Sequence, residues 1–363
     1  MITATERARA ARLLEGFRHA GAEIVETAIL QPAGTLLDLY GEDIRARAFT
    51  TTDPREGEMM LRPDFTVPVA QLHMASAKDS ARYAYSGEVF RRQEGEGWRA
   101  REYLQVGFEI FDGRDPAAAD AEVFDLISRT LAPWSPDAAI GDTGLLIAAV
   151  NGLATSPERR AALRRHIWRP ARFRRLMERF TGKAAPSASR TALLAKLETT
   201  AAPDLVAAGG VAVGLRAGDE IAARLDALRA EADQPPIATA EADVIDALLA
   251  MDGPLAAAVE PIRDMAVDLP TLGPAADRLE ARAEALARRG YNPGTLPFGP
   301  ARHRSSMEYY DGFTFTFTAS GRPGQPPLAT GGRYDALTAA LGDGRSVPAV
   351  GGVIRPGLLE ARA

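Results

Sequence analysis

The sequence predicts an α+β fold in which an antiparallel sheet, flanked by helices, is interrupted by a mainly helical insertion. Strand-like alternation occurs before about residue 143 and again after about residue 300, whereas alanine, leucine and charged residues dominate between these points. Because short, unknotted connections favour one interrupted sheet over two small ones, the outer parts are expected to share a sheet. We therefore assign residues 1–143 and 300–363 to the sheet domain and residues 144–299 to the insertion.

The first part of the chain alternates between helical and strand patterns. Apolar residues recur at helical spacing over residues 4–20, and Gly21 is expected to end this helix. The stretch from Ala48 is typical of a hairpin that leads into a helix from about Thr66. Asp115 precedes a proline and is the expected N-cap of the next helix.

A strand pair is predicted at residues 83–91 and 102–111. In the second strand, one face carries the apolar residues Leu104, Val106, Phe108 and Ile110, and the other carries Tyr103, Gln105, Gly107, Glu109 and Phe111. At a rise of about 3.3 Å per residue, Gln105 and Glu109 lie roughly 13 Å apart, and Gly107 leaves the floor between them bare. The second face is therefore a polar floor on which a small molecule could lie.

The composition excludes several classes of protein. Of the 363 residues, 46% are hydrophobic and 25% are charged, as in a globular chain with a sizeable core. No stretch approaches the roughly 20 apolar residues of a membrane span, and the N-terminus lacks the apolar core of a signal peptide, so a cytoplasmic location is expected. Without cysteine, and with four histidines that lack ligand spacing, no metal or cofactor is expected. A net charge of −5 argues mildly against nucleic acid, and the basic cluster at residues 159–179 is typical of a solvated helix surface.

Three segments carry more polar content than a core requires, namely residues 61–71, 90–112 and 307–337. Each has a purely structural interpretation, because Asp64 could be an N-cap and Tyr310 an ordinary strand residue. Together they supply two carboxylates, an amide, at least two arginines and several tyrosines. A carboxylate and a phenol pair with an ammonium group, and an arginine binds a carboxylate in a forked geometry, so the set suits a small zwitterion.

Jointly, these segments resemble the histidyl-tRNA synthetase group of class II aminoacyl-tRNA synthetases. Residues 61–66, LRPDFT, are similar to its R-P-E-G-T segment, and residues 90–109 follow class II motif 2 without a gap. GGRYDAL at residues 331–337 matches the histidine signature G-G-R-Y-D-x-L, and SSMEYY at residues 305–310 lies where the group has R-G-L-D-Y-Y. The resemblance implies a class II synthetase-like antiparallel sheet flanked by helices.

Departures from the motifs fall in the part of the site that uses ATP. Ser305 stands where the group has the arginine of R-G-L-D-Y-Y, and Gln93 replaces the motif 2 glutamate that contacts ATP. Leu358 occupies the motif 3 arginine position, while the nearby Arg355 precedes a proline. The chain ends at Ala363, directly after motif 3, so no anticodon-binding domain, no tRNA partner and no aminoacylation are expected.

The amino-acid pocket of the group is largely retained. By motif position, the resemblance implies that Asp64 and Thr66 hold the α-amino group of histidine. It implies that Arg91 binds the carboxylate and that Gln105 binds the amino or carboxylate end.

At the other end of the pocket, the resemblance implies that Glu109 binds an imidazole nitrogen. A carboxylate suits histidine there because it accepts the ring N–H or stabilises the protonated ring. Tyr310, Arg333 and Tyr334 would close the ring side. Because Glu109 lies on a polar strand face, its replacement is expected to cost little stability.

Loss of the ATP machinery with retention of the amino-acid pocket resembles the regulatory subunits of ATP phosphoribosyltransferase, the short synthetase paralogues known as the HisZ family. The resemblance implies a non-catalytic subunit that the short-form catalytic subunit, HisG, needs for the first step of histidine biosynthesis. It also implies feedback inhibition by L-histidine as allosteric effector. A homodimer through about residues 22–45, within a hetero-octamer, is the implied assembly.

Two alternatives stay open. A divergent histidyl-tRNA synthetase-like enzyme or carrier-protein ligase would activate an amino acid and exchange pyrophosphate with ATP. A stand-alone RNA-binding or histidine-responsive signalling module would bind no phosphoribosyltransferase.

Overall fold

The computed structural model describes residues 1–34, 48–76, 78–92, 100–210, 217–302, 309–322 and 324–359. Gln93 and Ser305, two of the positions at which the ATP motifs are altered, lie outside the described residues, as does much of the segment predicted to form the homodimer.

Helices and strands alternate in the outer parts of the chain, and helices predominate in the middle. The helices are α1 (Ala4–His19), α2 (Thr66–Ala75), α3 (Pro116–Leu131), α4 (Thr143–Gly152), α5 (Pro157–Arg165), α6 (Pro170–Phe180), α7 (Ala188–Thr199), α8 (Ala202–Ala208), α9 (Gly218–Ala232), α10 (Thr239–Ala250), α11 (Val259–Asp268), α12 (Gly273–Arg288) and α13 (Asp335–Leu341). The strands are β1 (Glu23–Ile24), β2 (Leu30–Pro32), β3 (Thr50–Asp53), β4 (Gly57–Leu61), β5 (Ala81–Phe90), β6 (Glu102–Phe111), β7 (Asp137–Asp142), β8 (Gly253–Pro254), β9 (Pro297–Phe298), β10 (Phe313–Thr318), β11 (Ala329–Arg333) and β12 (Ala349–Ile354). No helix in the described ranges is long and apolar enough to cross a membrane.

The two outer parts of the chain form one sheet. Within the described residues its strand order is β1-β5-β6-β12-β11-β10-β7-β9-β8. The pairs from β5 to β7 are antiparallel, as predicted, whereas β1–β5 and β7–β9 are parallel, so the complete sheet is mixed. The predicted hairpin, β3–β4, joins β2 in a separate sheet.

Local sequence signals account for several element boundaries. Thr3 caps α1 with a complete capping box, and Gly21 has a φ of 93° just after the helix, a conformation that favours glycine. The Asp115 side chain accepts a hydrogen bond from the Ala118 backbone N–H at 2.9 Å, so its predicted role as an N-cap is confirmed. The N-cap of α2 is Phe65 without a side-chain hydrogen bond, so Asp64 does not have the capping role.

The two faces of the large sheet bury different side chains. On one face, Val106, Phe108 and Ile110 of β6 belong to the main apolar core, together with α1 and α3. The alternate residues of β6 face a second cluster rich in tyrosine, against which α2 and α13 pack. The predicted alternation of β6 is therefore confirmed, and both of its faces are buried rather than one.

The middle of the chain packs against the sheet through α3. Helix α4 begins at Thr143, close to the predicted boundary, and α12 lies against α3. The main apolar core runs without interruption from the sheet into this helical region. The division into a sheet domain and an insertion remains an interpretation of the sequence pattern.

Arg159, from the basic cluster, is buried and donates to backbone carbonyls of residues 231–235, so one member of that cluster is structural.

A buried network of charges joins α12 to the sheet. Arg282 of α12 donates to Asp120 of α3 at 2.8 Å and to Asp142 at the end of β7 at 2.6 Å. Arg333, at the end of β11, donates to the other oxygen of Asp120 at 2.6 Å. All four side chains are buried. Two arginines thus balance two carboxylates that would be costly to bury alone.

We predict that Arg282→Met lowers the free energy of unfolding by about 3 kcal/mol or more, because Asp142 loses its arginine partner in a buried setting. Urea denaturation measures the change. The matched control is Arg288→Met on the same helix, where the exposed side chain pairs weakly with Glu284 and the expected loss is below about 1 kcal/mol. Equal losses in the two variants would contradict a stabilising role for the network.

Candidate functional site

Glu109 lies near the middle of the sheet, and its carboxylate is fully buried. Tyr85 and Thr66 donate hydrogen bonds to Oε1 at 2.7 and 3.0 Å. Tyr334 donates to Oε2 at 2.7 Å. The three hydroxyl groups come from β5, from the first residue of α2 and from the residue before α13. Glu109 therefore holds three elements together around one carboxylate.

Two glycines provide the space for this arrangement. Gly351 of β12 lies directly across from Glu109, and a Cβ at that position would fall 1.4 Å from Oε2. Gly107 lies across from Tyr85, and a Cβ there would fall 2.3 Å from the phenol oxygen. The floor at Gly107 is therefore covered by the Tyr85 ring rather than bare, and the sequence analysis did not single out Tyr85.

Burial raises the pKa of Glu109 from 4.5 to about 7. The hydrogen bonds from Tyr334, Tyr85 and Thr66 favour the ionised form and oppose this rise, while the charge of Asp64 adds to it. Glu109 is thus poised to gain or lose a proton near neutral pH. A ligand that offers an N–H group or a cation would favour its ionised form.

Glu109 also has a structural role that the strand pattern does not reveal. Replacement by alanine would leave three buried hydroxyl groups without their acceptor, which costs stability. The expectation that replacing Glu109 costs little stability does not fit this geometry. Glu109→Gln, which keeps the size and one acceptor oxygen, is the more suitable probe.

The wall beside Glu109 is formed by residues at the start of α2 and the end of β5. Asp64 is buried, and its Oδ2 lies 3.9 Å from Nη2 of Arg91. The Arg91 Nε group donates to the Pro63 carbonyl at 2.7 Å. Together with Thr66, these side chains bring a carboxylate, a hydroxyl and a guanidinium to the same side of the sheet.

Gln105 is fully buried on the same strand face as Glu109. Neither its amide nitrogen nor its amide oxygen has a hydrogen-bond partner among the described residues. A buried amide normally satisfies these groups, since leaving them unpaired costs free energy. Gln105 is therefore the side chain whose polar atoms a bound ligand would satisfy.

Two tyrosines close the site on the side of Glu109. Tyr334 contacts the carboxylate directly, and Tyr310 is buried, with its ring centroid 4.8 Å from that of Tyr309. Burial raises the pKa of Tyr310, and the charge of Glu109 raises it further, so the phenol stays protonated at neutral pH. The Tyr310 carbonyl accepts a hydrogen bond from Nε1 of Trp168, at 3.2 Å. Trp168 lies between α5 and α6, so the helical middle of the chain reaches the site.

Arg333 is the one predicted residue that the structure does not bring to this group. It pairs with Val350, which pairs with Ile110, so its side chain lies on the face opposite Glu109. There it donates to Asp120 and to Asp335 Oδ1 at 3.0 Å. The other seven predicted residues, Asp64, Thr66, Arg91, Gln105, Glu109, Tyr310 and Tyr334, lie on the same side of the sheet.

Arg355 is a further cation on the side of Glu109. Alternation along β12 from Gly351 and Val353 places it on this face, and its Nη1 donates to the Pro327 carbonyl at 2.7 Å. The strand pattern could have identified this position, even though a proline follows it. Leu358, at the motif 3 arginine position, lies in a short 3₁₀ turn after β12.

The raised pKa of Glu109 predicts a specific pH dependence of stability. Because the folded-state pKa exceeds the unfolded value, protonation of Glu109 stabilises the fold fully below about pH 4.5, and this contribution is lost as the pH rises through about 7. We expect wild type to lose up to about 3 kcal/mol more than Glu109→Gln between pH 5 and pH 8 in urea denaturation. Other titrating groups are common to both proteins. Parallel pH profiles would contradict the raised pKa.

Comparison with known proteins relates this arrangement to a family. The sequence model of the family described as histidyl-tRNA synthetase matches residues 2–234 and 222–356. The ATP phosphoribosyltransferase regulatory subunit of Mesorhizobium japonicum is 32% identical over 365 residues, which cover 96% of each chain. The protein of the same name from Brucella canis is 32% identical over 374 residues, covering 94% of this chain and 93% of that protein.

Solved structures show the same fold. A Bacillus halodurans protein described as an ATP phosphoribosyltransferase regulatory subunit/histidyl-tRNA synthetase superposes with a TM-score of 0.65 at 22% identity, covering 98% of this chain and 78% of that chain. A histidine–tRNA ligase subunit from Alicyclobacillus acidocaldarius gives a TM-score of 0.59 at 24% identity, covering 97% and 91%. The predicted class II synthetase-like fold is thus confirmed. With the sequence relatives at 32% identity over nearly the whole chain, the protein belongs to the family of ATP phosphoribosyltransferase regulatory subunits.

Proposed function

We propose that this chain is a non-catalytic subunit that the short-form catalytic subunit of ATP phosphoribosyltransferase, HisG, needs for activity, and that it transmits feedback inhibition by L-histidine. Relatives that match almost the whole chain are named as regulatory subunits of that enzyme. The observation that carries the proposal is the buried carboxylate of Glu109 on the same strand face as the unsatisfied amide of Gln105. These groups suit a small polar molecule, while the motif positions that would bind ATP in a synthetase are altered.

The chemistry of Glu109 matches an imidazole ring. The free imidazole has a pKa near 6.5 and Glu109 one of about 7, so the two groups can share a single proton at neutral pH. Either the carboxylate accepts from the ring N–H or imidazolium, or the protonated acid donates to the ring nitrogen. Histidine thereby supplies the partner that a buried carboxylate requires.

The remaining polar groups fit the amino-acid end of histidine. Asp64 and Thr66 would hold the α-amino group, because an ammonium requires acceptors and a nearby negative charge. Arg91 and Gln105 would bind the α-carboxylate, which would accept a hydrogen bond from the buried amide nitrogen of Gln105.

Two residues of the set would act at the ring, and a third would act on their position. Tyr310 and Tyr334 would close the ring side. Arg333 would act indirectly: it holds Asp335, and Asp335 Oδ1 in turn accepts from the Ala349 N–H at 2.8 Å, which fixes the start of α13 next to Tyr334.

Histidine needs only to bind one state of the assembly more tightly than another. A coupling free energy of about 1 to 3 kcal/mol changes the affinity or activity linked to it roughly 5- to 150-fold. Trp168 of the helical middle donates to the carbonyl of the pocket residue Tyr310. The Asp120 network joins the same region to Arg333, the residue before Tyr334. The proposal includes a cytoplasmic homodimer within a hetero-octamer.

The decisive experiment is co-purification with the short-form catalytic subunit, followed by an activity titration with L-histidine. We expect the catalytic subunit to be active only with this chain, and histidine to inhibit the complex. Glu109→Gln should still activate the catalytic subunit but raise the histidine concentration for half-inhibition at least about tenfold, because a charge-assisted hydrogen bond is lost.

The control is Glu88→Gln, the same chemical change on β5, where the carboxylate pairs with Arg7. It should leave inhibition by histidine unchanged. Absence of activation by wild type would refute the regulatory role, and unchanged inhibition in Glu109→Gln would place histidine elsewhere. Exchange of pyrophosphate with ATP and histidine by the isolated chain would instead support an amino-acid-activating enzyme.

A further inference from the structure

Arg355 follows the last residue of β12, at the level of Gln105 in the neighbouring strand. Val106 pairs with Ile354 in the antiparallel ladder between β6 and β12, so the next step of the ladder sets Gln105 opposite Arg355. Residues directly opposite each other in such a pair project from the same face. Both side chains therefore project from the side of the sheet that carries Glu109.

The guanidinium of Arg355 is held in place by neutral groups. Nη1 donates to the Pro327 carbonyl at 2.7 Å, Nη2 donates to Oγ1 of Thr330 at 3.4 Å, and the Tyr103 phenol is also hydrogen-bonded to it. Its contacts within the described part of the chain include no carboxylate. A positive charge is thus held on the Glu109 side of the sheet with no acid among its contacts in the described residues.

The electrostatics of this region favour an anion. Burial lowers the pKa of Arg355, and the positive charge of Arg91 lowers it further. Two cations kept near each other on one side of a sheet are stabilised by a negative charge between them. The Gln105 amide nitrogen offers an additional neutral donor.

We propose that Arg355, together with Gln105, binds the carboxylate of the ligand and so selects amino acids with a free carboxylate over neutral analogues. The proposal rests on the proposed function, because it assigns a specificity-determining residue to the same pocket. It adds a position outside the eight residues that the family resemblance implied.

The test is isothermal titration calorimetry of four pairs of protein and ligand. Wild type and Arg355→Met are each titrated with L-histidine and with L-histidinol, in which a CH₂OH group replaces the carboxylate. We expect wild type to prefer histidine by about 10- to 100-fold, since a hydrogen bond to a charged group contributes to that extent. In Arg355→Met the preference should fall at least fivefold, with little change in histidinol affinity. Arg355→Lys, which keeps the charge, should restore part of the preference.

Arg82→Met is the matched control, because Arg82 is also a partly buried strand arginine but pairs with Glu122 away from the site. It should keep the wild-type preference, and thermal unfolding checks that each variant is folded. If wild type binds neither ligand, the proposed function fails. If wild type binds histidine and Arg355→Met keeps the same preference, the role of Arg355 is wrong.

Discussion

The buried carboxylate of Glu109 constrains the structure on one side of the sheet. A carboxylate without access to water needs hydrogen-bond donors, and Thr66, Tyr85 and Tyr334 supply them from three different elements. The neighbouring strand has glycine at position 351 because any side chain there would collide with the carboxylate. The start of α2, the strand β5 and the start of α13 are thus fixed relative to one another by a single acidic group, which is also the group best suited to bind an imidazole.

A second buried carboxylate, Asp120, organises the opposite face. It joins Arg282 of the helical middle to Arg333 at the end of β11. Arg333 and Tyr334 are consecutive, yet the first contacts Asp120 and the second contacts Glu109. A ligand at Glu109 would therefore contact Tyr334, while α12 is connected to the preceding residue, Arg333, through Asp120. Trp168, which donates to the Tyr310 carbonyl, gives the helical middle a direct hydrogen bond to a pocket residue, and the Asp120 link is an indirect one.

Much of this arrangement could be predicted because it depends on local pattern. The alternation in β6 placed Gln105 and Glu109 on one face, and Asp115 marked the start of α3. The pairings between strands could not be predicted in the same way, since register depends on contacts distant in sequence. Arg333 was therefore expected beside the ligand, whereas its side chain lies on the opposite face of the sheet. Tyr85 was missed because its pairing with Gly107 is visible only in the folded chain. The parallel pairings of β1 with β5 and of β7 with β9 were not predicted for the same reason.

The role proposed for the Glu109 carboxylate is to bind the imidazole of histidine. A crystal structure of the protein grown with L-histidine would show whether it does. We expect an imidazole nitrogen within hydrogen-bonding distance of Glu109, with the amino-acid end near Gln105. Histidine bound at a subunit interface, with no contact to Glu109, would contradict this role.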